Sequence, residues 1–216
     1  MLTRGQLVGV ALAACLGAGL TAPAYERDLN TYAIREAFFL GKDNTFHSAD
    51  FLKDYAQSFP VPPQGVHIAS IEISTPFKQV ADRARRAPDG YSPMQAESEY
   101  RHLPPRLAVE VTLLLTPSFP AHTPYTIPTY GPIYFRDPDF WRQFDIKLLQ
   151  QGEVAPVARR GLPLYNCSFE GGCWLTGAVV TVEFDPDQVA SRAARIAVQS
   201  PDGQRVEAEF DLARLR

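Results

Sequence analysis

Cysteine, lysine and histidine are scarce in this chain of 216 residues. It has three cysteines, four lysines and four histidines, against seventeen arginines. The histidines are scattered without the short spacings that are typical of zinc ligands, and they lie at His47, His67, His102 and His122. The sequence therefore indicates no metal site.

Motifs that commit a chain to one chemistry are missing as well. There is no phosphate-binding Gly-x-x-x-x-Gly-Lys, no Gly-x-Gly-x-x-Gly and no Gly-x-Ser-x-Gly. The formal charge of −3 argues against nonspecific nucleic-acid binding, which needs a basic face. We expect no cofactor and no nucleic-acid partner, and the sequence identifies no catalytic residue.

The chain has no apolar run long enough to cross a membrane, and its first residues form an export signal instead. Arg4 precedes the uncharged run from Leu7 to Leu20, which is shorter than the roughly 20 residues of a spanning helix. Small residues at Ala22 and Ala24 then provide a signal-peptidase pattern. Residues 1–24 are therefore predicted to be an export signal.

Two ways of processing this signal stay open. Cleavage after Ala24 would release the protein into the periplasm or the medium. Alternatively, Leu12-Ala-Ala-Cys15 resembles a lipobox, and a lipidated Cys15 would hold a lipoprotein on the membrane through about 0.8 kcal/mol for each buried CH₂. The membrane is expected as a partner only through this anchor.

The two remaining cysteines are predicted to form a disulfide. Cys167 and Cys173 flank a segment with two glycines, which can turn tightly enough to bring the sulfurs together. Five residues separate the two cysteines, whereas in redox motifs usually two residues separate them. The alternative to the disulfide is a pair of free thiols. A disulfide agrees with an oxidising compartment, and closing so short a loop is worth about 2 kcal/mol.

Residues 25–63 are predicted to form a helical hairpin or arm. Apolar residues recur at helical spacing at Leu29, Ala33, Ala37 and Leu40, and Gly41 would end this helix. A second helix is predicted from Ser48 to Phe59, before prolines 60, 62 and 63.

Residues 64–216 are predicted to be mainly β. The strand patterns are Val66–Ser74, Leu107–Thr116, Phe144–Leu149, Trp174–Phe184 with even positions inward, and a hairpin around Pro201-Asp-Gly203. Leu107–Thr116 reads as a central strand whose second half is buried on both faces. The expected fold class is α+β, mainly β: an antiparallel β-sandwich of immunoglobulin-like architecture with a small N-terminal helical segment.

Two long insertions interrupt the predicted strands. Residues 76–105 contain two helix patterns, one basic from Phe77 to Arg86 and one starting with a Ser92, Pro93 and Gln95 cap. Residues 117–132 contain five prolines, which favour an extended surface loop. Three aromatic residues make this loop a candidate binding site, with packing on its own domain as the alternative: Phe119, Tyr125 and Tyr130.

An exported domain with one disulfide and no catalytic motif is typical of a binding or structural module. We therefore expect a non-enzymatic module of the periplasm or cell envelope that recognises a protein, peptide or glycan. The alternative is a small periplasmic hydrolase in which His47 acts as general base with Asp43 or Asp50. Asp50 lies one helical turn from His47, and Asp43 is nearby in the sequence.

Overall fold

The computed structural model describes residues 25–43, 45–119, 122–127, 131–168 and 172–216, except for the side chains of residues 46, 47, 122–127 and 131–135. The predicted signal and Cys15 lie outside the described residues. The helices are α1 (Thr31–Lys42), α2 (Phe46–Lys53), α3 (Pro76–Arg86) and α4 (Pro93–His102). The strands are β1 (Ala56–Ser58), β2 (His67–Ser74), β3 (Leu107–Leu114), β4 (His122–Ile127), β5 (Gly131–Arg136), β6 (Asp145–Leu149), β7 (Glu153–Val154), β8 (Pro156–Ser168), β9 (Gly172–Phe184), β10 (Ala193–Gln199) and β11 (Arg205–Asp211).

The strands form two large antiparallel sheets and a separate hairpin. One sheet has the order β1-β2-β3-β9-β8, the other β11-β10-β6-β7, and β4 pairs with β5. One hydrophobic cluster contains side chains from both large sheets, among them Val111, Val180, Ile196 and Phe210. The prediction of a mainly β, antiparallel α+β fold is confirmed. Among the described residues, no helix is long and apolar enough to cross a bilayer.

Strand β3 lies at the centre of its sheet, as predicted, but its first half, not its second half, is the part that is buried on both faces. Leu107, Ala108 and Val109 are all buried, whereas Thr112 and Leu114 are only half-buried. The reason is that helices α1, α3 and α4, which we call the helical layer, lie over the end of the sheet where β3 begins. The second half alternates between buried and half-buried side chains instead of being enclosed on both faces.

Strand β9 departs from the predicted alternation near its start. Its register with β8 shifts between Leu164 and Tyr165, so one extra residue changes which side chains face the core. Leu175 is consequently buried, and Trp174 is 46% exposed. The prediction that Trp174 and Thr176 share the core face with Phe184 is wrong for this reason.

Helix α1 packs against the helices of the later insertion rather than forming a separate hairpin with α2. A second hydrophobic cluster unites α1, α3 and α4, and it includes Ile34, Phe38, Phe77, Ala81 and Ala96. Gly41 was expected to end α1, yet it lies within the helix and touches α3: a Cβ there would stand 2.0 Å from the Ala81 carbonyl oxygen. Glycine therefore permits the close approach of the two helices.

The predicted second helix ends earlier than expected. Helix α2 stops at Lys53, and residues Ala56–Ser58 form the edge strand β1, which pairs with β2. The backbone N–H of Ile73 donates to the Tyr55 carbonyl at 2.8 Å. Pairing with a neighbouring strand thus overrides the local helical pattern.

The two helices of residues 76–105 begin at side-chain caps, of which the one at Ser92 was predicted. The Thr75 hydroxyl accepts a hydrogen bond from the Lys78 backbone N–H at 3.2 Å. At α4, both bonds of the capping box between Ser92 and Gln95 are present. These caps fix where α3 and α4 start, and so place the insertion between the adjacent strands β2 and β3.

Residues 117–132 contain strand structure rather than only the expected extended loop. Strands β4 and β5 pair from His122 with Arg136 to Ile127 with Gly131. Proline is tolerated there because each strand of a two-stranded sheet has a free edge, where a missing N–H breaks no ladder bond. Strand β8, which was not predicted, is likewise an edge strand.

Candidate functional site

A broad groove lies between the helical layer and the five-stranded sheet. Its volume is about 1020 Å³, and α3, α4, the loop between them and strands β3, β8 and β9 contribute to its walls. Eight charged side chains, four arginines and four carboxylates, dominate the lining: Asp82, Arg83, Arg86, Glu99, Arg106, Glu110, Arg160 and Glu183. We call this feature the charged groove.

A polar row runs across adjacent strands, and two of its members, Glu110 and Arg160, line the charged groove. Glu72 of β2 pairs in register with Glu110 of β3, which pairs with Thr181 of β9, which in turn pairs with Arg160 of β8. Because side chains alternate along a strand, these residues face away from the core positions Val109 and Val111. The sequence of β3 therefore places a carboxylate on the outer face of the sheet.

Lys78 of α3 joins the helical layer to this row. Its ammonium forms ion pairs with Glu72 and Asp82, and only 5% of its side chain is exposed. Burial alone would lower the pKa of Lys78, but the charges of Asp82 and Glu72 outweigh burial and raise that pKa. Lys78 is therefore charged, and it holds α3 on the sheet electrostatically.

Glu110 is the groove carboxylate without such a partner. It is half-buried and makes no hydrogen bond or ion pair with any residue that the structure describes. Its pKa is raised, first by burial and next by the negative charge of Glu72, while Lys78 and Arg86 oppose the rise. Glu110 can accept hydrogen bonds from a ligand.

The arginines of the groove differ in what they contact. Arg106 and Arg160 both reach Glu183, at 3.9 Å from Nε to Oε2 and 2.5 Å from Nη1 to Oε1. Arg83 Nη1 lies 3.2 Å from Glu99 Oε2. Arg86 donates only to a backbone carbonyl, that of Asp82 at 3.3 Å, and forms no ion pair within the described ranges.

A small apolar slot opens beside the groove, between α3 and α4. Its volume is about 40 Å³, which exceeds the roughly 10–15 Å³ that a single water needs. The slot shares Arg83, Tyr91 and Leu103 among others with the groove, and its own lining includes Val80 and Ala96. Burial raises the pKa of Tyr91 to about 12, helped by its hydrogen bond to Glu99. The slot therefore offers an apolar recess beside charged groups.

The predicted aromatic site is only partly within the described structure. Phe119 is half-buried and packs edge-on against Phe144, with ring centroids 6.3 Å apart. Tyr125 lies on β4, but its side chain is outside the description, and so is all of Tyr130. The binding role of these three residues stays a prediction.

The residues of the hydrolase hypothesis are held in local contacts where they are described. The Asp43 carboxylate accepts hydrogen bonds from the Thr45 backbone N–H at 2.9 Å and hydroxyl at 2.7 Å. Asp50 pairs with Lys53, and the side chain of His47 is outside the description. The hydrolase hypothesis therefore stays untested.

The predicted disulfide is confirmed. Cys167 and Cys173 are bonded and pair directly between β8 and β9, with their Cα atoms 4.0 Å apart. The described residues contain no group of three or more His, Cys, Asp or Glu side chains that could hold a metal ion. The disulfide thus closes the far end of the β8–β9 hairpin.

Sequence patterns alone do not identify the charged groove, because its residues come from five separate segments. One local signal exists: Glu110 is the single charged residue in the apolar strand Leu107–Leu114, and a buried or half-buried charge is the informative exception. Arg86 belongs to a basic run on a predicted helix, and a run of this kind is usually a solvated helix face. No protein-family model, curated protein sequence or solved structure matches this chain.

Proposed function

We propose that the protein is an exported, non-enzymatic binding module of the periplasm or cell envelope. In this proposal it recognises a segment of a protein, peptide or glycan in the charged groove. The observation that carries the proposal is the groove itself: about 1020 Å³ in volume, with a guanidinium and a carboxylate that lack ion-pair partners among the described residues. Concave sites with a few convergent polar groups are the usual places for ligands.

The lining of the groove favours binding over catalysis. Guanidinium groups are donors and carboxylates are acceptors, so the groove can hydrogen-bond to a polar chain on both sides. No histidine or cysteine is among the groove residues that the structure describes. The proposal therefore assigns recognition to Arg86 and Glu110 and no chemical step to any residue.

We also propose that the two large sheets face each other as a β-sandwich, immunoglobulin-like in architecture, with the helical layer outside. The support is the hydrophobic cluster that both sheets share. The Gln57 side chain of β1 also donates to the Glu209 carbonyl of β11 at 2.5 Å, which brings edge strands of the two sheets together. The groove then lies on the outer face of the sandwich.

Site-specific photo-crosslinking in the native host tests the proposed surface. A benzoylphenylalanine would replace Pro88, which is exposed on the groove rim, or Pro201, an equally exposed proline in the β10–β11 turn. A third variant places it at Tyr125 of the β4–β5 hairpin. We expect discrete adducts from position 88 and none from position 201. Adducts from position 125 alone would move the binding site to the hairpin and refute the groove.

Export is tested separately by intact mass in soluble and membrane fractions. A mature mass that begins at Tyr25 means release after the signal. A mass that begins at a lipidated Cys15 means a membrane-anchored lipoprotein. A full-length protein that keeps residues 1–24 in the cytoplasm would contradict export.

A further inference from the structure

Three neighbouring features of the charged groove have unused binding capacity. Arg86 has no ion pair and Glu110 has neither an ion pair nor a hydrogen bond within the described part of the chain. The apolar slot between α3 and α4 is the third feature, with a volume of about 40 Å³. The remaining carboxylates of the groove are engaged: Glu183 by two arginines, Asp82 by Lys78, and Glu99 by Arg83.

These features are close enough to serve one ligand. Val80, Arg83 and Arg86 follow one another at intervals of three residues on α3, so they form a stripe from the slot into the groove. Three residues rise about 4.5 Å along a helix, so Arg86 lies about one turn beyond Arg83. Arg86 and Glu110 in turn line one and the same groove.

The two unused charges are separated rather than paired. Arg86 and Glu110 do not come within ion-pair distance of each other, although both line the same groove. A ligand that carries a carboxylate and an ammonium group could bridge them, with one charge-assisted hydrogen bond at each end. A carboxylate fits the fork of the Arg86 guanidinium, and an ammonium has three donors to offer Glu110.

We propose that the charged groove binds a short peptide with free ends: its terminal carboxylate contacts Arg86, its terminal ammonium contacts Glu110, and the aliphatic side chain of its last residue enters the slot. This inference rests on the proposed function and deepens it by naming the ligand class. The slot admits an aliphatic side chain because Val80, Ala96 and Leu103 line it.

Calorimetry and NMR titration with defined dipeptides test this proposal on the mature protein. The probe is L-alanyl-L-leucine. Its N-acetyl derivative lacks the ammonium, its C-terminal amide lacks the carboxylate, and L-alanyl-L-alanine lacks the larger side chain. We expect each change to weaken binding by about tenfold or more, because charge-assisted hydrogen bonds and buried methyl groups contribute that much.

Variants assign each contact to its residue. In Arg86→Gln the dipeptide and its amide should bind alike, whereas in Glu110→Gln the dipeptide and its N-acetyl form should bind alike. Arg85→Gln is the matched control, because Arg85 is exposed in the same helical turn but does not line the groove. It should bind the dipeptide as the unaltered protein does.

The outcomes separate this inference from the proposed function. No binding of alanyl-leucine, or binding of its amide or its N-acetyl form as tight as that of the dipeptide itself, overturns the inference. If maltohexaose instead shifts the NMR signals of groove residues, the ligand is a glycan, and the inference fails while the binding function stands. If position 88 gives no adducts in the cell and neither probe binds, both fail.

Discussion

Replacing Lys78 by Met should destabilise the protein, because it removes the cation between two carboxylates at the junction of α3 and the sheet. The methionine keeps most of the aliphatic stem, so the change isolates the charge. Glu72, Asp82 and Glu110 would then share this region without the ammonium. Removal of one partner from a buried ion pair typically costs about 3–5 kcal/mol, since the other charge stays behind uncompensated.

The expected magnitude lies at the lower end of that range. The side chain of Lys78 is 5% exposed, but those of Glu72 and Asp82 are 33% and 18% exposed, so water can partly solvate the carboxylates left behind. We expect a loss of about 3 kcal/mol in the free energy of unfolding at pH 7. For a domain of this size, that corresponds to a fall in Tm of about 6–12 °C.

Urea denaturation and calorimetry of the variant measure this loss. The control is Lys147→Met, since Lys147 pairs with Asp145 and Glu153 at an exposed site and its loss should change stability much less than Lys78→Met does. Because the folded-state pKa of Lys78 is raised, its contribution should be present at pH 7 and be lost as the pH rises above about 10. A loss below about 1 kcal/mol at pH 7 would refute the argument that Lys78 fixes α3 to the sheet.

Three other changes have expected directions. Glu110→Gln should raise stability at pH 7 by about 0.5–1 kcal/mol, because it removes a like charge opposite Glu72. Since the folded-state pKa of Glu110 is raised, urea denaturation curves should show no gain in stability near pH 3. A loss of stability at pH 7 would contradict the reasoning. Gly41→Ala should lower Tm, because the clash with Ala81 lowers the free energy of unfolding by about 1–3 kcal/mol. Alanine in place of glycine in a helix normally raises that free energy by about 1 kcal/mol, so a higher Tm would show that α1 can move aside. Reduction of the Cys167–Cys173 bond should lower the free energy of unfolding by about 2 kcal/mol. Hydrogen exchange should become faster only at the end of the β8–β9 hairpin that carries the bond. A uniform increase in exchange across both sheets would contradict a local role.

The fold was largely predictable where one pattern dominates locally. The strands β2, β3, β9 and the β10–β11 hairpin follow from alternation and turn residues, and the cap at Ser92 follows from helix chemistry. Strand β8 has exposed side chains at most positions, so it carries no inward alternation to recognise. Its existence depends on pairing with β9, which local sequence does not reveal.

The candidate site was less predictable because its parts meet only after folding. Glu110 is visible in the sequence as a charge within a strand, but its relation to Arg86 depends on the helical layer crossing the sheet. That crossing in turn requires Gly41 to admit α3 beside α1. A glycine in a helix pattern predicts an end more often than a helix contact, which is why Gly41 was misinterpreted.

The exposed edge strand β8 has a consequence for how the protein behaves when concentrated. A free edge of thirteen residues with exposed Leu162 and Tyr165 is a template on which other chains can stack in register. Pro163 interrupts that template, since proline has no N–H to offer a newcomer, and the charged Arg160 repels an identical strand. Pro163 and the groove residue Arg160 thus protect the molecule against self-association into fibrils.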